Sequence, residues 1–241
     1  MHNKSPKVIF HAFTGFLSHN GVCSRRDAMV LVQSGRVKVN GQIVREPSFA
    51  VESGDDILAN GQKVEAKEYV YVMLNKPSGY VTTKEDPHAD KTIMDLLPKN
   101  LHYLSPVGRL DMDSEGLLLL TNDGALAHHL THPKFHVDRV YAVRVRGELL
   151  REKQLRLQHG VVIEGEKTAP CRIRDVQYNG TDTEFRMIIH EGRKRQIRLM
   201  LKAVGSHVHF LQRQAIGDLK LGSLKLGEWR YLDKKEVQSL R

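Results

Sequence analysis

The run of four leucines at residues 117–120 constrains the fold of this 241-residue chain more than any other feature. A short apolar run that is stopped by Thr121 and a turn predicts a buried strand over residues 116–121. The polar loop of residues 107–116 leads into it, and a helix is expected to begin near Ala125. A carboxylate in such a loop is held by a rigid strand and stays accessible, which is where catalytic groups tend to lie.

Alternating apolar residues predict further strands in the second half of the chain. One strand face is expected to carry Val137, Arg139, Tyr141, Val143 and Val145, and another Phe185, Met187 and Ile189. An apolar strand is also expected over residues 69–74, and a helix over residues 193–204 with Ile197, Leu201 and Val204 along one side. Because strands outnumber helices and few strand-helix-strand units are complete, we predict an α+β fold with a mostly antiparallel mixed sheet.

The first part of the chain, residues 10–64, is predicted to form a small α/β module of two short helices and a few small strands. Ser24 is placed to cap a helix with Asp27 at its third position, and Gly35 is placed to end it. Asn40-Gly41 and Asn60-Gly61 are strong signals for tight hairpin turns. The polar segment 65–68 is the expected boundary, so we predict domains at residues 1–66 and 69–241.

The formal net charge of +9 favours a polyanionic partner, with nucleic acid the leading candidate. A basic protein with no role at nucleic acid is equally compatible with this composition. Cys23 and Cys171 are the two cysteines, and neither they nor the thirteen histidines show metal-ligand spacing. We therefore expect no metal site, no disulfide and a reducing, cytoplasmic location, and we see neither a signal peptide nor a membrane span.

Arg109 and Asp111 are two residues apart in the polar loop and are able to project the same way. Taken alone, these residues favour an ordinary surface turn with an Arg-Asp pair. However, the complete run G-R-L-D-x-D-S-E-G-L-L-L-L-T-N-D-G resembles the signature of the RsuA/RluB-type ribosomal RNA pseudouridine synthases. The resemblance covers nearly the whole chain, with matching motifs at residues 74–80, 131–143, 191–198, 216–217 and 226–230.

The N-terminal segment resembles the RNA-binding module of ribosomal protein S-four. The matching stretches are residues 21–26, 35–41 and 56–61. The family usually opens its first helix with Arg-Leu-x-Lys, whereas Ala12-Phe13-Thr14-Gly15 stands here, so two positive charges are missing from the expected RNA face. By this resemblance, Arg25, Arg26, Arg36 and Lys38, together with Arg193, Lys194 and Arg195 of the larger domain, are expected to contact RNA phosphates.

The resemblance also assigns catalytic roles. Asp111 is implied to be the essential carboxylate, acting either as a nucleophile at the ribose or as a base there, with Arg198 as the positive partner that keeps it ionised. Tyr141 is implied to stack on uracil and assist removal of the proton from carbon five. Arg109 is expected to bind the target nucleotide or support its extrusion. The reaction needs no cofactor.

We expect a monomer, because no sustained heptad pattern or self-complementary apolar run appears. The resemblance implies action on ribosomal RNA or a ribosomal subunit precursor, and no membrane or DNA partner is expected. The motif wording and the segment 225–230 are closer to members acting on large-subunit RNA. Three alternatives stay open: a non-catalytic RNA-binding assembly factor, a transfer RNA pseudouridine synthase, and a small-molecule hydrolase whose second carboxylate is Asp113 or Glu115.

Overall fold

The computed structural model describes residues 9–10, 13–52 and 54–241, and the chain divides into two compact units. One unit comprises the described residues up to Val70 together with Asn122–Gly124, and the other comprises Tyr71–Thr121 and Ala125–Arg241. The domain limits given above, 1–66 and 69–241, stay a prediction. Ala12, in the segment that departs from the family pattern, lies outside the described residues.

The first unit combines two helices with short strands in its described part. Its elements are β1 (Ile9–Phe10), α1 (Phe13–His19), α2 (Arg25–Gln33), β2 (Val37–Val39), β3 (Gln42–Ile43), β4 (Val51–Glu52), β5 (Ile57–Ala59) and β6 (Gln62–Lys63). Four strands form an antiparallel sheet of order β3-β2-β5-β6, and β1 pairs with β4. The predicted small α/β module is confirmed.

Local signals in the sequence account for the ends of these elements. The Ser24 hydroxyl accepts a hydrogen bond from the Asp27 amide at 3.2 Å and so caps α2. Gly35 follows the helix at a φ of +72°, which glycine adopts without a Cβ penalty. Asn40-Gly41 and Asn60-Gly61 have positive φ at both residues, as a type I′ hairpin turn requires.

The second unit is built mainly of strands. With the turn that leads into α3, its elements are β7 (Tyr71–Lys76), β8 (Ser105–Pro106), β9 (Glu115–Thr121), α3 (Gly124–Thr131), β10 (Arg139–Arg146), α4 (Arg151–Gln158), β11 (Val162–Ile163), β12 (Glu166–Lys167), β13 (Arg172–Tyr178), β14 (Asp182–Ile189), α5 (Gln196–Ala203), β15 (Val208–Ile216), β16 (Leu219–Lys220), β17 (Trp229–Tyr231) and α6 (Lys234–Ser239), with short 3-10 helices at Ile93–Leu96, Lys99–Leu101 and Pro133–Phe135.

Nine of these strands form one mixed sheet. Its main path is β13-β14-β10-β15-β9-β7-β17, with β16 beside β15 and β8 beside β9. The β9-β15 pair is parallel, and the other pairs are antiparallel. The predicted α+β class with a mostly antiparallel sheet is confirmed.

The strand register aligns four residues across the middle of the sheet. Lys76 lies opposite Gly116, Gly116 opposite Arg213, and Arg213 opposite Tyr141. We call these four residues the cross-strand row. Because directly opposed residues point to the same face of a sheet, the side chains of Lys76, Arg213 and Tyr141 share one face.

The leucine strand β9 lies inside the sheet of the second unit, between β15 and β7. All four leucines are fully buried, and because successive strand residues point to opposite faces, both faces of β9 are covered. Leu126 and Leu130 of α3 pack in the same cluster as Leu117 and Leu119 on one of these faces. The strand therefore holds the preceding loop against a rigid core.

The alternating strands are also confirmed. In β10, every second residue from Arg139 to Val145 is buried, whereas Val137 precedes the strand. In β14, Phe185, Met187 and Ile189 are buried and the residues between them are more exposed.

The predicted helix over residues 193–204 is wrong at its start. Helix α5 begins at Gln196, and Arg195 adopts a left-handed conformation with a φ of +53°. The Gln196 side-chain oxygen accepts a hydrogen bond from the Arg193 backbone amide at 3.0 Å, and the Gln196 backbone amide donates to the Arg193 carbonyl at 3.2 Å. These two bonds close a turn before the helix, so Arg193, Lys194 and Arg195 lie in a loop.

We predict that Gly116→Ala destabilises the protein by about 1–3 kcal/mol more than Gly180→Ala, through overpacking. Both glycines have a positive φ, +104° and +93°. A Cβ at Gly116 would lie 2.3 Å from the carbonyl oxygen of Arg213, whereas nothing lies within 4 Å at Gly180. Urea denaturation of both variants checks this. Equal losses of stability would show that the Arg213 backbone moves aside at no cost.

Candidate active site

Asp111 lies in the loop of residues 107–114 between β8 and β9, here called the Asp111 loop. Its side chain is half-buried, and Arg109 on the same loop is exposed. Within the described part of the chain, the Asp111 carboxylate forms no hydrogen bond or ion pair. The loop therefore presents a carboxylate that is free to act on a bound molecule.

A buried lysine anchors the backbone of this loop. Lys76, the last residue of β7, is fully buried, and its Nζ donates to the carbonyl oxygens of Ser114 at 2.8 Å, Pro77 at 3.0 Å and Asp111 at 3.1 Å. The carbonyl oxygen of Met112 is a fourth acceptor at 3.4 Å. The ammonium group thus holds the loop through the carbonyl of Asp111 itself and through those of Met112 and Ser114, which follow it.

Two further residues after β7 hold the same loop. The Thr82 hydroxyl donates to the Leu110 carbonyl at 2.7 Å and accepts from the Leu110 amide at 3.2 Å. The Gly79 amide donates to the Met112 carbonyl at 2.8 Å. Carbonyl and amide groups on either side of Asp111 are therefore paired, which fixes the position of the carboxylate.

Burial lowers the pKa of Lys76 to about 8, although the negative charges of Asp113, Glu115 and Asp111 oppose the shift. Sequence reasoning missed this residue, which directly follows the strand expected over residues 69–74 and falls within the matching motif at residues 74–80. The signal was present, since a lysine that ends an otherwise apolar, buried strand needs acceptors for its charge.

Asp113, two residues after Asp111, carries the principal ion pairs of the site. Arg195 binds it through both guanidinium nitrogens, with Nη2 3.0 Å and Nη1 3.2 Å from the two carboxylate oxygens. Arg198 adds an Nε-Oδ2 contact of 3.3 Å and donates from Nη2 to the Asp113 backbone carbonyl at 2.8 Å. Partial burial raises the pKa of Asp113, but the hydrogen bond from Arg195 and the charges of Arg198 and Arg195 outweigh it and hold the pKa below its ordinary value.

The expected ion pair between Arg198 and Asp111 is therefore replaced by one between Arg198 and Asp113. The reason is the turn at the end of the loop, where the Ser114 amide donates to the Asp111 carbonyl at 3.0 Å. The carboxylate of Asp113 meets Arg195, in the loop before α5, and Arg198, in the first turn of the helix. The Arg198 side chain is 14% exposed against 44% for Arg195, so Arg198 is the deeper of the two.

Tyr141 lies in β10 and is nearly buried, beside two buried arginines that sequence reasoning also missed as site residues. Arg213, opposite Tyr141, donates from Nε to the Leu117 carbonyl at 2.7 Å, and Arg139 donates from Nη2 to the Leu130 carbonyl at 2.7 Å. Each arginine keeps one buried guanidinium nitrogen without a hydrogen bond in the described structure. The cross-strand row thus provides positive charge close to the Asp111 loop.

The other basic residues differ in how far they are already paired. Arg193 contacts Glu166 at 3.3 Å and Glu191 at 3.6 Å, whereas Lys194 is exposed and forms no ion pair with any described residue. In the first unit, the residues expected at RNA are all exposed and without an ion pair among the described residues: Arg25, Arg26, Arg36 and Lys38.

The described residues contain no group of three or more His, Cys, Asp and Glu side chains arranged to hold a metal ion. In the same part of the chain, none of the helices has the length and hydropathy needed to cross a membrane. Both thiols, of Cys23 and Cys171, are free.

Comparison with known proteins identifies the class to which this fold and site belong. Residues 70–203 match the RNA pseudouridylate synthase family, and residues 16–57 match the S4 domain family. The chain is therefore a member of the RNA pseudouridylate synthase family, with an additional S4 domain. It is a pseudouridine synthase, and RNA is its partner.

Individual relatives match over almost the whole chain. Ribosomal large subunit pseudouridine synthase B of Bacillus subtilis is 40% identical, with 93% of each chain covered. The protein of the same name from Pseudomonas aeruginosa is 39% identical over 93% of this chain and 60% of its own length. A crystal structure of a pseudouridylate synthase superposes with a TM-score of 0.70 at 31% identity, and covers 96% of this chain and 100% of that one.

We predict that the stability conferred by Lys76 depends on pH. Its pKa is lowered in the folded state, so between about pH 8 and pH 10.5 the unfolded chain binds a proton that the folded protein has released. Stability therefore rises with pH in this window. We expect the free energy of unfolding of wild type, relative to that of Lys76→Met, to increase by on the order of 1–3 kcal/mol from pH 7 to pH 10.5.

Urea denaturation at several pH values measures this difference. Lys99→Met, at an exposed lysine, is the matched control and should show no such gain. A flat difference between wild type and Lys76→Met would mean that the loop carbonyls keep the ammonium charged throughout the range.

Proposed function

We propose that this enzyme converts a specific uridine of large-subunit ribosomal RNA to pseudouridine. Relatives named ribosomal large subunit pseudouridine synthase B, from two bacteria, support the substrate class. The observation that carries the catalytic part is the unpaired carboxylate of Asp111 on a loop whose backbone is held by Lys76. The reaction breaks the bond between uracil N1 and ribose C1′, turns the base and joins C5 to C1′. The proton is then lost from C5, and N1, which no longer binds the ribose, carries a proton in the product.

Asp111 is proposed as the group that acts at the ribose. A carboxylate without an ion-pair partner is able either to attack C1′ or to serve as a base at the sugar. Arg198 supplies positive charge that acts on Asp111 as well as on Asp113, and we retain it as the charge partner in the complex with RNA. Asp113 would then hold Arg198 in place in the free enzyme.

Tyr141 is proposed to stack on the detached uracil and assist the loss of the C5 proton. It lies in the cross-strand row with Arg213, a buried arginine on the same sheet face. Arg109, exposed two residues before Asp111, is proposed to bind the target nucleotide as it leaves the stack. Extrusion of a base costs a few kcal/mol, which contacts of this kind offset.

We assign RNA binding to the S4 domain and to the loop before α5. Arg25, Arg26, Arg36 and Lys38 would contact phosphates from residues 1–66, and Arg193, Lys194 and Arg195 from the catalytic domain at residues 69–241. Such contacts position the RNA without reading its sequence. We further propose that the enzyme acts as a monomer in the cytoplasm, on ribosomal RNA or a subunit precursor and not on DNA.

We predict that Asp111→Asn abolishes isomerisation, because the amide cannot act as a nucleophile or a base, with a loss of at least about 10³-fold in kcat. Pseudouridine mapping of ribosomal RNA from cells lacking the gene, restored with wild type or with the variant, measures this. One site should vanish on deletion and return with wild type alone. Asp218→Asn, at an exposed aspartate, should restore it too. Restoration by Asp111→Asn would contradict the assignment.

We also predict that Lys194 contributes more than Arg193 to the salt dependence of RNA binding. Lys194 is free of ion pairs among the described residues, whereas Arg193 already contacts Glu166 and Glu191. Lys194→Gln should lower the slope of log Kd against log salt by about 0.7, the value for one phosphate of single-stranded RNA. Filter binding to an unmodified large-subunit RNA transcript measures both slopes, and an equal change for Arg193→Gln would refute the distinction.

A further inference from the structure

Four rings lie together at the end of α3 and in the 3-10 turn that follows it. We call them the ring cluster: His128, His129, His132 and Phe135. The ring centroids of His129 and Phe135 are 4.5 Å apart, those of His128 and His132 are 4.9 Å apart, and His128 meets Phe135 edge-on at 5.8 Å. The cluster thus forms a continuous aromatic surface rather than scattered side chains.

The ring cluster is open to solvent. Phe135 is 37% exposed, His128 and His132 are exposed, and His129 is half-buried. A single exposed apolar ring needs no explanation, but an exposed group of four rings marks an interaction surface that suits a planar group.

The helix that leads into the ring cluster packs against the site. The Cγ2 atom of Thr131, the last residue of α3, is 3.6 Å from the position of a Cβ on Gly108 in the Asp111 loop. On the other side, Arg139 joins the Leu130 carbonyl to the strand that carries Tyr141. The rings are therefore carried on the element that packs against the loop and strand of the site.

Positive charge and a free donor accompany the rings. The Lys134 ammonium lies 4.6 Å from the centroid of Phe135. The Nδ1 atom of His132 accepts a hydrogen bond from the Lys134 amide at 3.2 Å, so the neutral ring carries its proton on Nε2, which has no partner among the described residues. Aromatic faces beside cationic groups are what proteins use to hold unpaired nucleotides, through base stacking and phosphate contact.

We propose that the ring cluster stacks on an unpaired nucleobase adjacent to the target uridine. This inference rests on the proposed function, since it takes RNA as the substrate. When the target uridine leaves the stack, its neighbour loses a stacking partner, and the ring cluster replaces that partner. The cluster thereby lowers the cost of extrusion and positions the strand over Asp111.

The test compares Phe135→Leu, which keeps an apolar side chain but removes the ring, with Phe135→Tyr, which keeps the ring. The first probe is a uridine dodecamer with one 2-aminopurine, whose fluorescence is quenched when the base stacks. In high salt, where phosphate contacts are screened, Phe135→Leu should weaken binding about 5- to 100-fold and lose the quenching. Phe135→Tyr should bind within about twofold of wild type.

The control is Tyr178→Leu, which removes a ring that is more exposed, 48% against 37%, from the edge strand β13, and it should bind as wild type does. His132→Gln is the second variant in case Phe135→Leu does not fold, and it should weaken binding in the same direction. Binding and quenching by Phe135→Leu equal to those of wild type would overturn the proposal, and so would an equal loss in Tyr178→Leu.

The second probe separates this proposal from the proposed function. Tritium release from a large-subunit RNA transcript labelled at uridine C5 reports isomerisation, and Phe135→Leu should raise KM by more than it lowers kcat. If wild type releases no tritium, the proposed function fails while the dodecamer still reports on stacking. If wild type is active and Phe135→Leu has an unchanged KM, the ring cluster has no role in binding the substrate.

Discussion

The ammonium group of Lys76 is the contact on which the geometry of the site depends. It is buried at the end of β7 and bonded to carbonyl oxygens of the Asp111 loop, so a charge that would be costly in a core is compensated by backbone dipoles. The β7-β9 pairing places this lysine opposite Gly116, which is the only type of residue that leaves room for the Arg213 backbone there. The pairing of the central strands therefore fixes the position of the loop.

The two aspartates of the loop, Asp111 and Asp113, differ in their ion pairs. Asp113 takes the ion pairs of Arg195 and Arg198, and Asp111 is left without one among the described residues. An aspartate bound by two guanidinium groups is a poor nucleophile, because its charge is already neutralised, whereas an unpaired one retains its reactivity. The arrangement concentrates positive charge beside the Asp111 carboxylate and leaves that carboxylate free to contact a bound molecule.

The sequence predicted the parts of the fold that depend on local patterns. The leucine strand, the alternating faces of β10 and β14 and both Asn-Gly turns are set by residues close to one another in the chain, and the structure confirms them. The parts it did not predict depend on distant residues. The choice of Asp113 by Arg198 depends on contact between the Asp111 loop and α5, and the roles of Lys76, Arg139 and Arg213 depend on which backbone carbonyls they meet. A sequence shows which side chains carry charge, but not which backbone carbonyls those side chains bind.

The parallel pairing of β9 with β15 has a consequence for the synthesis of the chain. Arg213 donates to the Leu117 carbonyl across 96 residues of sequence, and β15 separates β9 from the strand that bears Tyr141. Contacts of such separation form late and slow the folding of a sheet. A ribosome therefore synthesises most of this polypeptide before β15 can join β9, which follows the Asp111 loop, to β10, which carries Tyr141. The nascent chain has no assembled active site until then.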